Sequence, residues 1–367
     1  MIRLSVIDHK TDMRFIVCLV ALFSLLLVPT QTSSVDGDNP PIIDVSSLIH
    51  SSKSHVDFNR TVAEIISAAQ MWGFFTVVNH GIDLELTENL LKQAKYFFNR
   101  SNPEAVEAQT EVRRSVTNSR GYADLEYTKQ RVDAKQVFDV GHKPYPELAD
   151  DHPLNVVMDG HNQWPSGDKF KDFRTVVSTY YDECSKLSQT LIKAIIHGLL
   201  EKVVVEIAGS ASDDKDLIAE SSNIIAPSAQ SFINDFHNHT SFLRLNYYPV
   251  TLDQNEELPD GEDAHSTSDL SVFGVGHHTD SGGLTLLLQG DVSGLEVYSG
   301  SKQVVGDGHW VPVRPVPGGI TVNIADMLQV YSNDRLKAAE HRVRASRGTD
   351  GYCVALAFQM SCFPSVC

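Results

Sequence analysis

Apolar residues recur along this chain at two different intervals, and the change of interval divides it. From Val56 to Trp72 the segment VDFNRTVAEIISAAQMW spaces them three and four apart, which predicts an amphipathic helix ended by Gly73. FFTVVNHG follows as a short strand closed by a turn, and DLELTENLLKQAKYFFN predicts a second helix with Asp83 as its cap. A long third helix is expected from about Asp168 to Ile207, with Phe173, Val177, Tyr180, Cys184, Leu187, Leu191, Ile195 and Leu199 along one face. From Ser241 onward the pattern breaks into short apolar segments separated by Gly, Pro and Asp: SFLRLNYYP, SVFGVGHH, LTLLLQ, LEVY, WVPVRP, ITVNIAD, LQVYS, EHRVRA and YCVALAFQM. Strands this short and this regularly spaced predict a double-sheet barrel or sandwich. The fold class is mainly β with flanking helices, divided into a mostly helical region 40–207, an insertion 208–240 and a strand core 241–360. The polar stretch Thr251–Asp269 reads as a solvated loop, or as a lid over a site.

The first forty residues differ from the rest. Arg14 precedes the apolar run FIVCLVALFSLLLV, which is shorter than the roughly 20 residues of a membrane-spanning helix and leads into small, polar residues. Residues 1–32 therefore read as a signal peptide that directs the protein to the secretory pathway or the cell exterior, with membrane contact only through an uncleaved leader. If the gene start is instead misassigned, the protein is cytoplasmic. Removing the leader takes Cys18 with it and leaves Cys184, Cys353, Cys362 and Cys367, of which only the last two form an obvious candidate pair. With 30 basic and 47 acidic residues the net charge is −17, which repels a nucleic-acid backbone and excludes that partner class.

Chemistry concentrates in GVGHHTDSGG, Gly274 to Gly283. Side chains alternate along a strand, so His278 and Asp280 share a face while His277 points the other way with Thr279. The best candidate for a third ligand is His341 in EHRVRA. Two histidines and one carboxylate on one face of an octahedron, with the opposite face open, is the arrangement of non-haem Fe(II) oxygenases, whereas a structural zinc site is closed by four protein ligands. His80, in VVNHG, is expected to stabilise a turn, and His265 lies in the polar loop.

The surrounding segments GHHTDSGGLTLLLQ, GLEVY and HWVPVRPVPGGITVNIADMLQVYSNDRLKAAEHRV resemble the iron- and 2-oxoglutarate-dependent dioxygenases of the isopenicillin N synthase-like superfamily. Upstream, PPIIDVSSL, AAQMWGFFTVVNHGI, RGY, DAKQVFDVG and NQWP resemble that family's N-terminal region in order and spacing, so the likeness runs from about Pro40 to Phe358. The resemblance implies a distorted double-stranded β-helix, or jelly roll, and an oxidoreductase that uses Fe(II), 2-oxoglutarate and O2 to oxidise a small molecule. It places His278, Asp280 and His341 on the iron ligands, and Asn246 and Tyr248 of FLRLNYYP against 2-oxoglutarate.

One departure stands out. After HRV the family carries R-x-S, whose arginine grips the distal carboxylate of 2-oxoglutarate. Counting back from Phe358 puts Tyr352 at the arginine position and Val354 at the serine. Tyrosine offers one hydrogen bond where guanidinium offers a bidentate pair, a loss of roughly 1.5–3 kcal/mol. The anchor is therefore expected to be weakened or rebuilt. Two alternatives stay open: an Fe(II) oxidase of the same superfamily that draws electrons from ascorbate or substrate, and a secreted metal-binding homologue without turnover.

Overall fold

The structure is a computed structural model, and it describes residues 39–360 except 51–54, 129–130, 134, 143–146, 150, 153–159, 211–232, 234–240, 250–272, 291–292, 301–307 and 345–351. The leader, nearly all of the 208–240 insertion, the polar loop with His265, and the pair Cys362 and Cys367 lie outside the described residues.

The strands are β1 (Ile42–Asp44), β2 (Phe74–Val78), β3 (Gly121–Ala123), β4 (Tyr127–Thr128), β5 (Arg131–Val132), β6 (Gln136–Gly141) and β7 (Phe242–Pro249), then β8 (Phe273–His278), β9 (Leu284–Gln289), β10 (Leu295–Ser299), β11 (His309–Pro312), β12 (Ile320–Ile324), β13 (His341–Arg344) and β14 (Tyr352–Met360). Two sheets build the jelly roll, one ordered β1-β2-β12-β9-β14-β7-β6-β3 and the other β11-β10-β13-β8. Apart from the parallel pair β1–β2, the neighbours run antiparallel. Strands from the N-terminal half, β2 and β6, are hydrogen-bonded into the same sheet as β12 and β7, so the two halves share one sheet.

The helices are α1 (Ser46–Ile49), α2 (His55–Met71), α3 (Leu84–Phe97), α4 (Pro103–Glu111), α5 (Phe173–Ser210) and α6 (Asp326–Tyr331). Asp83 caps α3, its carboxylate accepting from the Glu85 N–H at 2.8 Å. The face predicted for α5 is the buried one: Phe173, Val177, Tyr180, Cys184, Leu191 and Ile195 are fully enclosed in the main core, packed with Leu243, Leu286 and Phe358 of the large sheet. Cys184 is a free, buried thiol whose pKa burial pushes up to about 12, so it acts as core filling rather than as a nucleophile.

One segment departs from the strand expectation. LQVYS belongs to helix α6: Leu328 is buried while Val330, two residues on, is 71% exposed, and an alternating strand would bury both. The helix is held from its start, because the N–H groups of Ala325, Asp326 and Met327 donate to the carbonyls of Gly283, Asp280 and Gly282. Those partners are the loop that follows β8.

Candidate metal centre and its cavity

Strand register brings the three candidate ligands together. His341 on β13 pairs directly with His278 on β8, and their rings lie 4.3 Å apart between centroids. Asp280 lies just beyond the end of β8, in the loop fastened to α6, and its Oδ1 is 3.5 Å from His278 Nε2 and 3.6 Å from His341 Nε2. The ligand atoms of the three residues all lie within 4.8 Å of one another, a span that one ion can bridge. His277 points away from them, its Nδ1 lying 3.8 Å from the Glu340 carboxylate.

The atoms not facing the centre are tied down. His278 Nδ1 sits 2.8 Å from the Gly276 carbonyl oxygen and His341 Nδ1 3.2 Å from that of Ala339. A carbonyl only accepts, so each Nδ1 carries the proton and each Nε2 lone pair is left for a metal. Asp280 Oδ2 accepts from Thr285 Oγ1 at 2.6 Å and from Asn323 Nδ2 at 2.8 Å, which orients Oδ1 towards the histidines. Phe74 closes one side, meeting the His341 ring edge-on at 5.2 Å.

The electrostatics favour a cation. Burial pushes the Asp280 carboxyl up, but the charges of His341 and His278 and the hydrogen bonds from both outweigh it and hold the group well below the ordinary carboxylate range. Burial pushes His341 down, and the neighbouring Asp280 carboxylate raises it by more. The carboxylate is therefore ionised, and its negative charge between the two histidines favours a bound cation.

The centre opens into a cavity between the sheets, lined among others by Asn246, Tyr248, Val275, Leu287, Leu295 and Val343. Asn246 and Tyr248 thus face the same space as the three ligands. The Tyr248 ring approaches β8 closely at Gly274, where a Cβ would fall 2.5 Å from Tyr248 Cδ1.

On β14, Tyr352 pairs with Pro249, Cys353 with Tyr248 and Ala355 with Asn246. The side chains of Tyr352 and Val354 lie outside the described residues, while Ala357 and Gln359 line the cavity and Phe358 is buried against Tyr181 of α5. β14 carries no arginine.

Other histidines have structural partners. His80 accepts the Ile82 N–H on Nδ1 at 3.2 Å and donates from Nε2 to the Gly318 carbonyl at 3.1 Å, which stabilises the turn after β2; burial lowers its pKa. Sequence reading missed Thr285 and Asn323. Their signal was a polar residue inside each of the apolar strands LTLLLQ and ITVNIAD, where a buried polar group requires a partner. It also missed Lys135, which lines the cavity from the segment before β6.

Comparison with known proteins agrees with this geometry. Residues 40–167 match the family described as non-haem dioxygenase in morphine synthesis N-terminal, and residues 239–359 match the 2OG-Fe(II) oxygenase superfamily. Gibberellin 2-beta-dioxygenase 7 of Arabidopsis thaliana is 27% identical over 315 residues, covering 86% of this chain and 73% of that protein. A probable iron/ascorbate oxidoreductase of Dictyostelium discoideum is 28% identical over 331 residues, covering 86% of this chain and 80% of that protein. A full-length Neurospora crassa protein, solved in complex with alpha-KG and thymine, shares the fold with a TM-score of 0.63 at 22% identity, over 91% of this chain and 88% of that one. The chain belongs to the 2-oxoglutarate/Fe(II) oxygenase superfamily.

Proposed function

We propose that this protein is a non-haem Fe(II) dioxygenase that couples oxidative decarboxylation of 2-oxoglutarate to hydroxylation or desaturation of a small organic substrate. The observation that carries this reading is the convergence of His278 Nε2, Asp280 Oδ1 and His341 Nε2 at the wall of a cavity, with their remaining polar atoms already bonded to protein. A metal held by these three side chains alone would keep coordination positions free for other ligands, as an oxygenase requires. Iron and the oxo acid, when bound, supply the redox chemistry with O2 that no amino-acid side chain provides. In hydroxylation one oxygen atom of O2 ends in succinate and the other in the product, with release of CO2. The protein's part is to hold the ligands in one geometry, to place Asn246 and Tyr248 as hydrogen-bonding groups beside the oxo acid, and to keep water out with Val275, Leu287, Leu295 and Val343.

Anaerobic titration of the Fe(II) protein with 2-oxoglutarate is expected to develop the visible charge-transfer band of a chelated oxo acid, and admission of O2 to release labelled succinate. A second reading, an oxidase that takes electrons from ascorbate or substrate, is favoured by the missing arginine on β14 and by the name of the Dictyostelium relative. Absence of the band at saturating oxo acid, with ascorbate-dependent O2 consumption intact, would select it.

The leader carries a separate proposal, that residues 1–32 act as a signal peptide. The basic Arg14 before the apolar run Phe15–Val28 supports it. N-terminal sequencing of the native protein is expected to begin near residue 33; a start at Met1 or Met13 refutes secretion by this route.

A further inference from the structure

An oxo diacid carries a second carboxylate, and the cavity must answer its charge. Among the described residues that line the cavity, the cations besides the candidate histidines are Arg244 and Lys135. Arg244 is committed elsewhere: Nε and Nη2 donate to Asp139 at 2.9 and 2.8 Å, and Nη1 to Glu126 at 3.1 Å. Lys135 is only 9% exposed, with Asp133 3.1 Å from its ammonium. An ammonium has three N–H donors, and one carboxylate oxygen at this distance takes one of them.

Position sets the assignment. The β7–β6 register pairs Gln136 with Tyr247 and Val137 with Asn246, so Lys135, one residue before β6, continues the row to the level of Tyr248. On the other side of β7, Cys353 of β14 pairs with Tyr248. Cys353 thus lies about one strand spacing, 4.7–4.9 Å, from Tyr248 on one side, and the row of β6 extended by one residue carries Lys135 towards its other side. A side chain as long as lysine spans that spacing and reaches the space beside Tyr248. We infer that Lys135 grips the distal carboxylate of the 2-oxo diacid, from the opposite side of Tyr248 to the strand on which the arginine is missing. This rests on the 2-oxoglutarate reading of the site.

The test is a ratio measured on the full-length Fe(II) protein without O2. Dissociation constants are read from the charge-transfer band for 2-oxoglutarate and for 2-oxopentanoate, a chain of equal length with a methyl group in place of the distal carboxylate. The wild-type protein is expected to prefer the diacid by roughly ten- to a hundredfold, the worth of a charge-assisted contact. Lys135→Met and Lys135→Gln are expected to bring the ratio close to one by weakening the diacid alone, and Lys135→Arg to keep most of the preference. Binding of 2-oxopentanoate reports within each variant that the iron site is intact. A preference that survives in the Met and Gln variants, an equal weakening of both acids, or a wild-type protein indifferent to the distal carboxylate overturns the role of Lys135 and leaves the oxygenase reading standing. If neither acid gives a band with wild-type protein, the 2-oxoglutarate reading falls and this inference with it.

Discussion

Alanine at Asp280 is expected to abolish both Fe(II) binding and turnover, and alanine at His278 or His341 to do the same, while His277→Ala leaves metal affinity close to that of the wild type. The contrast follows from geometry. Asp280 Oδ1 is the point to which both Nε2 atoms converge at 3.5 and 3.6 Å, whereas His277 faces Glu340. Removing the carboxylate also leaves two imidazoles beside each other without the anion between them, so a dication meets a site of the wrong charge. A graded effect is expected one layer out. Thr285→Val and Asn323→Leu each free Asp280 Oδ2 to rotate, and should lower Fe(II) affinity by about 10–100-fold without removing a ligand. Anaerobic Fe(II) titration and O2 uptake measure the whole series. Equal loss in His277→Ala and Asp280→Ala would show that the arrangement described is not the one that binds metal.

The grouping of His278 with Asp280 was legible from sequence because they sit two apart next to a strand with a period of two, although β8 itself ends at His278 and the loop carries Asp280 to the same side. The long helix was legible for a parallel reason: its buried face repeats over many turns, and each repeat adds to the same signal. Short apolar runs carry less information. LQVYS is equally compatible with a strand, and only its attachment to the loop around Asp280 decides for a helix. YCVALAFQM is nearly all apolar, so alternation says little in it, and its register is set by the neighbours β7 and β9. Lys135 escaped notice because the strand it leads into, β6, pairs with β7 more than a hundred residues further along the chain, and no local pattern announces such a neighbourhood.

Asp139→Ala is expected to lower folding stability by about 3–5 kcal/mol, the cost of stranding buried cations. Asp139 lies on β6 with its side chain 6% exposed and accepts from Arg244 on β7, while Arg114 pairs with it and with Glu126. Arg244 and Arg114 thus bridge Asp139 and Glu126 beside the cavity, with the charge of Arg120 also acting on Asp139, and deleting that carboxylate removes the buried anion these guanidinium groups share. The exposed cluster in which Arg100 and Arg113 pair with Asp124 makes the control: Asp124→Ala should cost less than about 1 kcal/mol, because water replaces the lost partner. The pH dependence discriminates further. Burial pushes the Asp139 carboxyl up, but Arg244 and Arg114 more than compensate and its pKa in the folded protein lies below the ordinary value. A depressed carboxylate pKa contributes stability that is complete above the unfolded-state pKa, about 4, and is lost as pH falls through the folded-state value. The stability gap between wild type and Asp139→Asn should therefore be widest at neutral pH and narrow progressively below about pH 4. Denaturant unfolding across that range measures it. A gap independent of pH would mean that Asp139 acts through packing and hydrogen bonding rather than through its charge, and that the fixed position of Arg244 at the cavity wall does not depend on an ion pair.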